Sequence, residues 1–251
     1  MRQWKITAIQ TGTIEMEKSI GTYLKDSGTV IRIPNISFLL EVSDGPEKII
    51  VDTGFESVER SERIQKQRAW RNEDQKLDVV LRDMGVDPAM IRIGILTHLH
   101  FDHCGQNHLF PNAKFYVQQS ELRYAFAPLP DELTPYFSPL IGEKPSFWGT
   151  DFEIIDGDAE ITDGIRVVHT PGHTPGGQTL LVETDGGIYA IPGDNVFLYE
   201  NIEKNIPCGH IYSRADWFSS MGKVRRMADH ILPSHDQLVF STVPAVFPRP
   251  S

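Results

Sequence analysis

In the run Thr97-His98-Leu99-His100-Phe101-Asp102-His103, four metal-competent side chains fall within six residues, directly behind an apolar stretch. Buried imidazoles and carboxylates are costly unless paired or bound to a cation, so this density exceeds what a structural role needs. The stretch Met90 to Leu96 reads as a strand, and at its end His98 and His100, two residues apart, project to the same side. Asp102 and His103 fall where the chain turns toward Gly105, at a helix start, and approach the same point from a second direction. Two ligand pairs from two directions suit a two-metal centre.

Three further donors share one placement, immediately after an apolar strand. His173 closes Val167-Val168-His169-Thr170-Pro171-Gly172-His173, on a Pro-Gly turn that lets the backbone bend back toward the first cluster. Asp194 follows Ile188-Tyr189-Ala190-Ile191-Pro192-Gly193, and His235 follows His230-Ile231-Leu232-Pro233-Ser234. Together these are five histidines and two aspartates, enough for two ions of coordination number four to five with one carboxylate shared and a water between them. Asp52, in Asp52-Thr53-Gly54 at another strand end, is either a support for the site or only a turn residue. His108, His169, His210 and His230 are left for packing, hydrogen bonding or the surface, because the coordination shells are already full.

The remaining pattern is of strands interleaved with helices. Trp4 to Gln10 alternates as a strand, Thr11 to Gly28 is polar, and strands follow at Thr29-Ile33, Ile36-Val42 and Lys48-Val51. The charge-dense stretch from Glu56 to Lys76 predicts an exposed helix laced with ion pairs. Leu77, Val80, Leu81 and Met84 form an amphipathic helix that Gly85 closes. Lys114-Gln118 reads as a strand and Ser120-Phe126 as a short helix. Residues 127 to 150 hold Pro128, Pro130, Pro135, Pro139 and Pro145 among aromatic residues, which rules out long regular elements and predicts a pocket wall. Strands return at Phe152-Ile155, Ala159-Ile161, Ile165-His169, Gln178-Glu183 and Gly187-Ile191. A capping box at Ser213 to Asp216 then opens a helix whose face is Trp217, Met221, Val224, Ala228 and Ile231. Two β-layers in the middle with helices outside are expected.

A length of 251 residues fits a single domain, 1–251, with residues 127–150 as a Pro- and aromatic-rich insertion. The two cysteines, Cys104 and Cys208, provide no disulfide framework and suit a reducing compartment. The N-terminus lacks the apolar region of a signal peptide, and no apolar run approaches the ~18 residues of a membrane span. A cytoplasmic protein without membrane contact is expected. The formal charge of −10 argues against a nucleic-acid partner, which needs a basic face.

His98-x-His100-x-Asp102-His103, Pro171-Gly172-His173, Gly193-Asp194 and Pro233-Ser234-His235 resemble the ordered motif set of the metallo-β-lactamase superfamily. The resemblance implies a four-layer αββα sandwich of the α+β class with the site at the edge between two sheets. It also implies that His98, His100 and His173 hold one metal, that Asp102, His103 and His235 hold the other, and that Asp194 bridges. Zinc is the expected metal, and iron, manganese or cobalt suit the same donors. Within the superfamily, His98-Leu-His-Phe-Asp-His-Cys-Gly-Gln-Asn107 and Thr170-Pro-Gly-His-Thr-Pro-Gly176 are similar to the dinuclear N-acyl-homoserine lactone hydrolases. Those quorum-quenching lactonases often carry a tyrosine three residues after the bridging aspartate; here Phe197 stands there, with Tyr199 two further on.

The implied activity is hydrolytic opening of a small-molecule lactone or ester, with Asp102 and Asp194 as the catalytic carboxylates. Phe147, Trp148, Phe197, Tyr199 and Cys208 are the candidate substrate contacts. A thioesterase of the glyoxalase II kind is an alternative, although its basic C-terminal region is reduced here to Arg249. The other alternative is a non-hydrolytic diiron redox protein on the same ligands.

Overall fold

Successive side chains point to opposite faces of a strand, so the continuous apolar runs of the central strands bury both faces, and the two faces need different partners. In the computed structural model, which describes residues 2–246, the chain runs β1 (Trp4–Glu17), α1 (Lys18–Gly21), β2 (Val30–Val42), β3 (Lys48–Val51), α2 (Val58–Gln65), β4 (Ala69–Trp70), α3 (Leu77–Asp83), β5 (Ile93–Ile95), α4 (Phe101–Cys104), β6 (Lys114–Gln118), α5 (Gln119–Phe126), β7 (Phe152–Ile155), β8 (Ala159–Thr162), β9 (Ile165–His169), β10 (Gln178–Thr184), β11 (Gly187–Ile191), α6 (Tyr199–Glu203), α7 (Arg214–Met227), β12 (His230–Ile231), α8 (Val239–Thr242) and β13 (Ala245–Val246). Arg249 lies outside the described residues. One sheet has the order β13-β1-β2-β3-β5-β6-β7, with β4 paired to β1, and the other has the order β12-β11-β10-β9-β8.

Phe38, Leu40, Ile49 and Val51 of the first sheet share a core with Ile165, Val167, Leu180 and Val182 of the second. Their alternate neighbours Leu39 and Ile50 pack instead with Leu77, Val80 and Leu81 of α3 and Ala125 of α5. On the other side, Val168, Leu181 and Ala190 meet Trp217, Met221 and Val224 of α7. The result is the expected αββα sandwich: helices, sheet, sheet, helix.

The structure corrects several boundaries. β1 and β2 are longer than the sequence suggests: Thr11 to Glu17 continues β1, and Thr29-Ile33 and Ile36-Val42 merge into one strand. Pro34 is tolerated there because β3 pairs only with Phe38 to Glu41, leaving that side of β2 free of ladder bonds at the proline. Between Glu56 and Lys76 there is not one long helix but α2, β4 and a 3-10 turn at Glu73–Gln75. Lys66 in the left-handed region (φ 58°) ends α2. The apolar face assigned to the last helix also overruns it: Ala228 is its extended C-cap and Ile231 belongs to β12.

β5 spans only Ile93–Ile95, so His98 and His100 lie beyond the strand rather than on its pleat. The chain leaves the ladder at Thr97, whose N–H donates to the Asp52 side chain at 2.8 Å. β3 runs parallel to β5, and β9, β11 and β12 share one direction within the second sheet. The segments that follow these strands meet at one edge of the sandwich.

Candidate metal centre and cavity

The five imidazoles and two carboxylates singled out in the sequence come together at that edge. Donor atoms of His98, His100, His173 and Asp194 form one group, and those of Asp102, His103 and His235 form another, all atoms within a group lying within 4.8 Å of each other. Asp194 stands between the groups. Its Oδ1 is 3.1 Å from His103 Nε2 and 3.2 Å from His235 Nε2, while its Oδ2 is 3.5 Å from His173 Nε2 and 3.9 Å from His98 Nε2. Asp102 Oδ2 lies 3.8 Å from His103 Nε2 and 3.7 Å from His235 Nε2.

Local backbone choices produce this convergence. Gly193 adopts φ 55°, and a Cβ there would stand 2.5 Å from Thr97 Oγ1, so only glycine lets the turn carrying Asp194 approach the His98 loop. Asp52 is itself left-handed (φ 52°) and buried. Its Oδ1 accepts from Thr97 N, and its Oδ2 accepts from Thr97 Oγ1 and from His103 Nδ1, each at 2.8 Å. Of the two roles open to it in the sequence, Asp52 takes that of support. Glu121 of α5 adds a second brace, accepting at Oε1 from Leu99 N and from the Tyr136 hydroxyl.

Whether a cation fits can be judged from unmet valences. Among the described residues the Nε2 atoms of His98, His103 and His235 and Oδ1 of Asp194 are buried without a hydrogen-bond partner, and His100 Nδ1 faces His173 Nε2 at 3.0 Å. Lone pairs buried and aimed at one another are costly by about 1–3 kcal/mol each, a cost that cations in their midst remove. The residues therefore fit a pair of metal ions. Burial holds the His98 imidazole well below its usual range and lowers His173 to about 3, so both stay neutral and able to donate. Burial also disfavours charge on His103 and His235, but the carboxylates around them, Asp194 and Asp102 for both and Asp52 for His103, together outweigh it and raise both.

A cavity of about 500 Å³ opens over the cluster. His100, Asp102 and Asp194 line it, with Ile14, Met16 and Ile33 from β1 and β2, Ile20 from α1, and Tyr23 and Leu24 just beyond. Asp131, Thr134 and Pro135 of the Pro-rich segment form part of its wall. Of the candidate contacts, Phe197 lines the cavity, its ring centroid 5.0 Å from that of His235 and 5.6 Å from that of His173. The others do not line it. Phe147 is buried between Phe126 and Phe152 in the outer core, where its neighbours are apolar. Trp148 is exposed on a separate surface recess. Tyr199 packs against the core between the sheets and pairs its hydroxyl with Thr242. Cys208 is buried with its Sγ 3.9 Å from His173 Nδ1.

Two polar groups at the site carried no motif signal. His210 lines the cavity, and its Nε2 is 2.8 Å from Oε1 of the buried Glu132. Burial pushes the Glu132 carboxyl up, but its contacts with His100 and His210 outweigh this and hold it well below the usual carboxylate range. A histidine outside any motif and a glutamate among prolines cannot be told from surface residues by spacing.

A model of the metallo-beta-lactamase superfamily matches residues 33–235. The N-acyl homoserine lactonase of Bacillus cereus is 28% identical over 237 residues, covering 91% of this chain and 88% of that protein. The N-acyl homoserine lactonase AiiA of Bacillus thuringiensis subsp. kurstaki is 30% identical over 212 residues, covering 81% and 80%. Among solved structures, an N-acyl homoserine lactone hydrolase with the product N-hexanoyl-L-homoserine at its catalytic metal centre superposes with a TM-score of 0.82 at 24% identity, covering 99% of each chain. With the fold, the motif order and these similarities in agreement, the chain belongs to the metallo-beta-lactamase superfamily and stands within it beside the N-acyl homoserine lactonases.

Proposed function

We propose that the protein is a dinuclear metal-dependent lactonase that opens the ring of an N-acyl homoserine lactone or a related lactone. Asp194 carries this reading, because its two oxygens turn to different imidazole groups beneath a cavity with an apolar wall. His98, His100 and His173 would hold one cation, Asp102, His103 and His235 the other, with Asp194 shared; zinc is the first choice among metals that suit such donors. The similarity to N-acyl homoserine lactonases supports a lactone as substrate. In the same reading the chain is one domain, with residues 127–150 inserted as a wall of the cavity.

Bound divalent cations supply a hydroxide near neutral pH and an electrophile for the carbonyl oxygen. The protein's own part is to orient and to move a proton. Asn35 Nδ2 lies 3.5 Å from Asp102 Oδ2 and steadies a carboxylate that borders the cavity. Asp102 takes the proton given up by the water that becomes the attacking hydroxide and passes it to the ring oxygen as the ester C–O bond breaks, leaving a hydroxy acid. Ile14, Met16, Ile20 and Ile33 offer the apolar surface for an acyl chain.

The test is pH-stat hydrolysis of short- and long-chain acyl-homoserine lactones, a δ-lactone, an aromatic lactone and a glutathione thioester, with cation-loaded and chelated protein. Lactone turnover that a chelator abolishes is expected. Turnover of the thioester alone, or full lactone turnover without cations, would refute the proposal.

A further inference from the structure

Each imidazole of the cluster has one nitrogen turned away from the centre, and the partner of that nitrogen decides which lone pair is left for a cation. In four of the five this outward nitrogen is Nδ1. It meets Thr97 Oγ1 at 3.1 Å for His98, Asp52 Oδ2 at 2.8 Å for His103, the carbonyl of His210 at 2.7 Å for His173, and the carbonyl of Pro34 at 2.9 Å for His235. Thr97 Oγ1 donates its own proton to Asp52, so it accepts from His98.

His100 is reversed. Its Nδ1 is the inward atom, 3.0 Å from His173 Nε2, and its Nε2 turns outward. What it faces there is Oε2 of Glu132 at 3.4 Å, and among the described residues both atoms are buried without a hydrogen-bond partner, each the nearest candidate for the other. Oε1 of the same carboxylate pairs with His210 Nε2 at 2.8 Å, and the His210 ring lies parallel to that of His100, 5.5 Å between centroids with 5° between planes. Glu132 is 4% exposed and comes from a 3-10 turn (Pro130–Glu132) in the Pro-rich segment, outside every ligand-bearing motif.

We propose that Glu132 is a positioning residue of the metal centre: it accepts from His100 Nε2–H, leaving the Nδ1 lone pair for the cation shared with His98 and His173, and through His210 it ties the cavity wall to that cation. This rests on the two-cation reading above.

The experiment measures zinc affinity by competition with a graded chelator for the parent, Glu132→Gln, Glu132→Asp and Glu143→Gln, alongside the melting temperature of each metal-free protein. Glu143 lies in the same segment and pairs with Arg63, so its replacement tests general loosening of that segment. Glu132→Gln should bind one of two zinc ions about 10- to 100-fold more weakly than the parent, with the metal-free melting temperature unchanged. Glu132→Asp keeps the charge on a shorter arm and should fall between the two; it carries the test if the glutamine variant does not fold. Parental affinity in both Glu132 variants, or equal weakening in Glu143→Gln, would overturn the proposal while leaving the two-cation reading intact. A parent that takes up no cation would end both.

Discussion

Asp52 shows how much one residue can organise. Its left-handed backbone costs on the order of 1 kcal/mol, which is offset by three hydrogen bonds that fix both the start of the His-rich loop and the ring of His103. Phe197 stands where the resemblance to the lactonases implies a tyrosine. It lines the cavity among the ligands yet offers no donor. Phe197→Tyr places a hydroxyl in that wall, and a net hydrogen bond of about 0.5–1.5 kcal/mol to the substrate carbonyl raises kcat/KM about 2- to 12-fold. Steady-state kinetics on a short-chain acyl-homoserine lactone would show it, and an unchanged kcat/KM would place the carbonyl elsewhere. The ligands themselves were legible because each follows an apolar strand. Glu132 and His210 were not, since nothing in their neighbours' types marks a partner met only after folding.

At the scale of elements, the strand-to-loop junctions carry the site and the helices hold the sheets in place. Lys223 of α7 reaches across to Asp158, which also accepts from His169 N at the end of β9 and so joins the outer helix to a ligand-bearing loop. Burial pushes the Asp158 carboxyl up, but the Lys223 ammonium and the His169 amide outweigh it and hold it below its usual value. Because the folded pKa is depressed, the stabilisation is present above the unfolded value of about 3.9 and is lost as pH falls through the folded one. The carboxylate is half exposed, so solvent screening limits the effect to about 0.5–1 kcal/mol. Asp158→Asn keeps the bond to His169 N and removes the charge. It should be less stable than the parent by that amount at pH 7 and converge with it below pH ~4, as read by urea unfolding at matched metal content. A gap independent of pH would assign the effect to packing. The elements most legible in sequence were those with a single period, such as β9 and β11. Those missed were β1 beyond Gln10, where a bulge at Gln10 to Gly12 breaks the alternation that pattern reading needs, and the continuity of β2 through Pro34.

For the whole molecule, the site exists only while both sheets are docked, since Asp52, His98, His100, Asp102 and His103 come from one and His173, Asp194 and His235 follow strands of the other. Cations that bind only the folded form add stability by mass action, about 4 kcal/mol at a thousandfold excess over Kd, or a melting temperature raised by roughly 10 °C. Chelation should reverse this and restored zinc should recover it; a melting curve indifferent to both would remove the cations from the fold. Among the described residues no helix is long and apolar enough to cross a membrane. The sequence by itself determined the layers, through the continuous apolar runs that give the central strands two apolar faces, and it determined the donor set, because ligand chemistry is written in residue type and in position after a strand. Only the tertiary structure decided which nitrogen of each imidazole faces inward, that Phe197 and His210 rather than Phe147, Trp148, Tyr199 and Cys208 border the cavity, and that Glu132 backs His100. Those outcomes depend on angles between segments far apart in the chain, and spacing along a sequence carries no information about them.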